Sequence, residues 1–73
     1  MNLHYYPETD SLYIDLNERP GADSREVQDG VVLDFDADGL LVGIDIDNAS
    51  RVLDLDQIGI IALPASTKVL IDA

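Results

Sequence analysis

Between residues 31 and 46 the chain reads as two strands folded back on each other. Val31, Leu33 and Phe35 alternate with Val32, Asp34 and Asp36; further on, Leu40, Val42, Ile44 and Ile46 alternate with Leu41, Gly43 and Asp45. A period of two is the spacing of a strand, where successive side chains point to opposite faces. Between the runs, Asp36-Ala37-Asp38-Gly39 is turn chemistry, with Gly39 able to take positive φ at no steric cost. Such a hairpin constrains the fold more than any other feature, because it commits the chain to an antiparallel sheet with one apolar face.

The flanking sequence supplies further short strands. Residues 3–6 read as a first strand, and Pro7-Glu8-Thr9-Asp10 as a turn in which Asp10 makes a local side-chain bond. In residues 11–16, Leu12, Ile14 and Leu16 alternate with Ser11, Tyr13 and Asp15. Residues 17–23 hold Pro20-Gly21 and no apolar period, which predicts a loop. Residues 24–28 read as a weak strand built around Val27, closed by the hairpin dipeptide Asp29-Gly30. Tyr5, Tyr6 and Tyr13 are placed to cluster across the first hairpin, and His4 reads as a solvent-facing strand residue.

A sheet with one apolar face needs a cover. Asp47-Asn48-Ala49-Ser50 offers several N-cap residues, and Ala49, Val52, Leu53 and Asp56 follow at helical spacing, which predicts a helix over residues 49–57. The alternative takes residues 52–55 as a strand, because Leu53 and Leu55 alternate with Asp54 and Asp56. The fold expected is therefore α+β and β-rich: a four- to five-stranded antiparallel meander sheet with one short helix packed on its apolar face. Residues 58–63 are apolar, Pro64 ends them, and residues 68–71 read as a last strand or an arm. The role of the tail 58–73 is open.

Seventy-three residues make a single domain, 1–73. There is no cysteine, so disulfides, thiolate catalysis and cysteine-based zinc sites are excluded. A chain this small has little core, so a second copy covering one face is the expected extra source of stability, with a dimer favoured. Four Lys and Arg against fifteen Asp and Glu give a formal charge of −11. That argues against direct nucleic-acid binding and against anionic membranes. The Met1-Asn2-Leu3-His4 start lacks the basic and apolar regions of a signal peptide, and no 18-residue apolar run occurs. The cytoplasm is the expected location. The acidity itself has three readings: solubility, a saline cytoplasm, or complementarity to a basic protein.

Three blocks in order are recognisable. Tyr5-Tyr6-Pro7-Glu8-Thr9-Asp10-Ser11-Leu12-Tyr13-Ile14 comes first, then Ser24-Arg25-Glu26-Val27 with Asp29-Gly30-Val31-Val32-Leu33-Asp34. Asp36-Ala37-Asp38-Gly39, Val42-Gly43-Ile44-Asp45-Ile46 and Asn48-Ala49-Ser50 complete the series. Over about residues 5–51 the chain resembles a small bacterial and archaeal family, Domain of Unknown Function 2283. The resemblance implies a compact β-rich protein with no catalytic residues to carry over. Some members are suspected, from gene arrangement, to accompany small toxin-like proteins. The tail from residue 58 lies outside the resemblance.

One constellation carries metal chemistry on paper. Asp34, Asp36 and Asp38, followed by Gly39 and then Asp45, match the spacing of a calcium loop, and Leu41 falls where such loops hold an apolar residue. Against it, the last ligand is Asp instead of the longer Glu, and both flanks have strand periodicity. In a hairpin, Asp45 lies too far along the ladder to close a cage at the tip. The same aspartates are then turn and solvent-face residues. No catalytic constellation is recognisable, so the functional expectation is a non-enzymatic, self-associating interaction or regulatory module without a cofactor. Its sharper form is an antitoxin-like neutraliser of a small basic protein, and the alternative is a calcium-binding module.

Overall fold

The computed structural model of the protein describes residues 1–57, 59, 71 and 72. Its elements in chain order are β1 (Asn2–Tyr6), β2 (Ser11–Asp15), β3 (Asp23–Gln28), β4 (Val31–Phe35), β5 (Leu41–Ile46), α1 (Ala49–Val52) and β6 (Ile71–Asp72). The first five strands form one antiparallel sheet in the order β3-β4-β5-β2-β1, and β6 adds a short parallel edge to β1. This is a β-rich α+β fold with a five-stranded antiparallel sheet and one short helix.

Period-two patterning explains why these strands share a core. Leu3 stands opposite Ile14 and Tyr5 opposite Leu12. Leu12 and Ile14 in turn face Ile46 and Ile44, which face Val31 and Leu33. The apolar positions of four strands are thus in register on one face. Leu12, Ile46 and Ala49 form the buried cluster, with Leu3, Ile14 and Ile44 packed against it. Each fully buried aliphatic side chain stabilises by roughly 1.5–3 kcal/mol. Among the described residues only Leu12, Val42, Ile46 and Ala49 are buried apolar ones, so the core that these residues form is small.

The strand order differs from a single meander. β1–β2 is one hairpin and β3–β4–β5 is a true meander, but β2 pairs with β5 rather than with β3. The β2–β3 connection therefore crosses the ends of β5 and β4. Polar contacts hold it there: Asn17 Nδ2 donates to the Leu41 carbonyl at 3.2 Å, and Arg19 Nε donates to Asp36 Oδ2 at 2.8 Å. The Ala22 amide then donates to the Phe35 carbonyl at 2.8 Å.

The helix is shorter than residues 49–57. It ends at Val52, and Leu53 is extended at φ −126° and ψ 152°. Residues 52–55 form no strand either. A β-branched residue followed by Leu-Asp-Leu-Asp is poor helix material, because Asp competes for backbone hydrogen bonds. The alternation still has effect without a ladder: Leu53 and Leu55 pack against the core while Asp54 and Asp56 are exposed.

Two apolar residues fall outside their expected places. Val27 occupies a bulge between Glu26 and Gln28 and is 52 % exposed, so β3 is not built around it. Leu40 stays in the turn at 54 % exposure, because a register shift opposite Asp34 and Phe35 begins β5 at Leu41. Tyr5 and Tyr13 do not cluster, because they lie on opposite faces. Tyr5 pairs with Leu12 on the apolar face, whereas Tyr13 pairs with His4 on the other. Residues 58, 60–70 and 73, which hold most of the tail, lie outside the described residues.

Candidate functional site

The face opposite the core carries Asp15, Asp34 and Asp45, and its organising residue is Tyr13. From β2 the Tyr13 ring leans across β5 and its hydroxyl donates to Asp34 Oδ2 on β4 at 3.1 Å. Gly43 makes that path possible. A Cβ at position 43 would meet Tyr13 Cζ at 2.6 Å and the hydroxyl more closely still. A glycine inside a strand often marks such a close approach. The other Asp34 oxygen accepts from Ser24 Oγ on β3 at 2.7 Å. One carboxylate therefore ties β2, β3 and β4 together above β5.

Charge is crowded here. Asp45 sits between Tyr13 and Val32 across the two ladders. Burial raises its carboxyl above the ordinary value, and the charges of Asp47 and Asp34 push it the same way. The Tyr13 phenol is also raised, first by burial, then by its bond to Asp34 and the negative charges of Asp34, Asp15 and Asp45. His4 lies opposite Tyr13 on this face.

Asp36 belongs to the turn. It is 7 % exposed, and its Oδ1 accepts the amides of Asp38 and Leu40, both at 2.9 Å. Its Oδ2 takes Arg19. The Leu40 amide, then the Asp38 amide and the Arg19 guanidinium, hold the carboxyl below its ordinary value despite its burial. Asp38 is exposed at the tip. Of the four aspartates spaced as a calcium loop, Asp34 bonds Tyr13 and Ser24, Asp36 bonds its turn and Arg19, and Asp45 stands beyond Gly43 on the ladder. Among the described residues no three His, Asp or Glu side chains form a group placed to hold a metal ion.

At the other end of the sheet, Asp10 does more than turn the chain. Its Oδ1 accepts the Tyr5 hydroxyl at 2.7 Å, and its Oδ2 accepts Ser50 Oγ at 2.6 Å. The Ser50 amide also points at this carboxylate, 3.1 Å from Oδ1. The Asp10 carbonyl accepts the Ala49 amide at 2.8 Å. The bonds from Ser50 and Tyr5, with the charge of Arg51, lower the Asp10 carboxyl. Asn48, the N-cap by position, is left-handed and makes no side-chain cap bond. The cap of α1 thus comes from 40 residues away. Sequence reading missed it, because Asp10 in a turn and Ser50 near a helix start each have ordinary local uses.

No helix among the described residues is long and apolar enough to cross a membrane. No curated protein and no solved structure matches the chain. A family model does match, described as "Protein of unknown function (DUF2283)", over residues 2–50. That span takes in β1 to β5, Asp10, Tyr13, Gly43 and Ser50 together, and with two thirds of its length inside the match the chain belongs to the DUF2283 family.

Proposed function

We propose that the protein is a non-enzymatic interaction module of the cytoplasm, which associates with a second copy of itself as a dimer and offers its acidic face to a small basic protein. In its sharper form it is an antitoxin-like neutraliser of that partner. The observation that carries this reading is the division of the sheet, with apolar residues in register on one face and the Asp34–Asp45 crowd on the other. Carboxylates held near one another gain from a cationic partner, which relieves their repulsion and is steered in by their field. The small core favours a second copy on the apolar side, where burial adds stability that one chain of this size lacks.

Capture of the tagged protein from its host at physiological salt, followed by mass spectrometry and light scattering, tests both halves. A stoichiometric small basic protein, lost when Asp34 and Asp45 are changed to Asn, supports the neutraliser. Recovery of a homodimer alone removes the neutraliser, and a monomer at micromolar concentration removes self-association.

A further inference from the structure

We propose that the Asp10 carboxylate is a latch that holds α1 closed over the apolar face, and that its release uncovers Leu12 and Ile46 while the sheet stays folded. A four-residue helix does not persist by its own hydrogen bonds, since the cost of nucleating it is never recovered over so short a run. Something outside must hold α1 in place. Asn48 does not, because its side chain makes no cap bond.

Asp10 does so with both carboxylate oxygens and its carbonyl. Ser50 donates its amide and its hydroxyl, and Ala49 donates its amide. Tyr5, from the apolar face of β1, steadies the same carboxylate. Backbone conformation marks the same joint. Asp10 and Asn48, both at φ 53°, are the positive-φ non-glycine residues among the described ones. Such conformations persist where surrounding contacts enforce them.

The two sides of the joint differ in what holds them. α1 contributes one buried side chain, the methyl of Ala49, to the cluster with Leu12 and Ile46. β2 and β5 are each paired along both edges. Opening therefore separates α1 from the sheet before the sheet comes apart, a sub-global opening of low free energy. What it uncovers is the apolar surface of Leu12 and Ile46, so the latch controls how much of that face is exposed to solvent.

Amide hydrogen exchange on the full chain tests this, with Asp10→Ala and, as the milder variant, Ser50→Ala. The Leu53 amide, bonded to the Ala49 carbonyl, and the Arg51 amide, bonded to the Asn48 carbonyl, report on α1 without touching Asp10. The Leu16 amide, bonded to Val42, and the Asp36 amide, bonded to Leu40, report on the sheet. Release of the latch is expected to speed the first pair by about tenfold or more and to leave the second pair within about twofold. It is also expected to raise binding of a hydrophobic dye with the sheet's circular dichroism unchanged. Equal acceleration of all four amides makes Asp10 a general stabiliser and overturns the latch; no acceleration of Arg51 and Leu53 overturns it as well. Should Asp10→Ala fail to fold, Ser50→Ala gives the same pair of readings.

Discussion

On the apolar face Leu12 and Ile46 lie buried beneath Ala49, whereas on the opposite face Asp15, Asp34 and Asp45 surround one ring, that of Tyr13. The first face is held by area removed from water, a force without direction that tolerates modest repacking. The second is held by one path, from Tyr13 over Gly43 to Asp34, which has little room to adjust. A polar face need not be passive. Here it closes the middle of the sheet while leaving its carboxylates at the surface.

The largest effect is expected on the apolar side. Leu12→Ala removes the centre of the cluster and is expected to lower stability by about 2–5 kcal/mol, read from urea denaturation. For a domain this small that approaches total unfolding, so Ile46→Val, at about 0.5–1.5 kcal/mol, is the graded version. A loss from Ile46→Val as large as that from Leu12→Ala would mean the core is not centred where the structure puts it.

Gly43→Ala addresses the other face. The new methyl displaces Tyr13 from its path, and the expected loss is about 1–3 kcal/mol. Paired with Tyr13→Ala it should cost less than the sum of the two, because the ring that it collides with is gone. Strict additivity would remove the ring from above Gly43. Tyr13→Phe is the finer test. It keeps the ring and loses only the bond to Asp34, for an expected cost of about 1 kcal/mol.

Acidity separates the carboxylates by sign. Asp10 and Asp36 have lowered folded values, so their contribution is complete above the ordinary carboxylate range and is lost as pH falls through those lowered values. Asp45 has a raised folded value, so protonating it on the way down from neutral pH adds stability. Urea midpoints are therefore expected to hold or rise slightly as pH falls from neutrality toward the ordinary carboxylate range, then to fall below that range. Asp45→Asn should abolish the rise and leave the fall. A rise that survives that substitution would place the strained carboxyl elsewhere. The smallest effect expected concerns the acidic turn. With Asp36 already occupied by two amides and Arg19, about 1 mM calcium should shift the melting temperature no more than magnesium at equal ionic strength. A clear calcium excess would favour the binding-loop reading.

The two acidic turns show where legibility in the sequence stops. The Asp36 turn was readable, because its partners Asp38 and Leu40 lie two and four residues away and Asp-x-Asp-Gly is local chemistry. Its bond to Arg19 was not, since it depends on the β2–β3 connection crossing the hairpin end. Asp10 repeats the lesson more sharply. Its turn was legible, but its ligand Ser50 is 40 residues away and has no pattern linking it to position 10. Gly43 carried a signal, a glycine within a strand, yet nothing named Tyr13 as its neighbour until β2 was known to lie beside β5.

The strands, their apolar face, the glycine turns and the charge were therefore legible residue by residue, because each is set by composition, side-chain alternation or local backbone sterics. Which strands are neighbours, and which distant groups meet Asp10, Asp34 and Asp36, came only from the tertiary structure. Those depend on which surfaces meet, and long-range pairing is a property of the whole sheet that no short window of residues encodes.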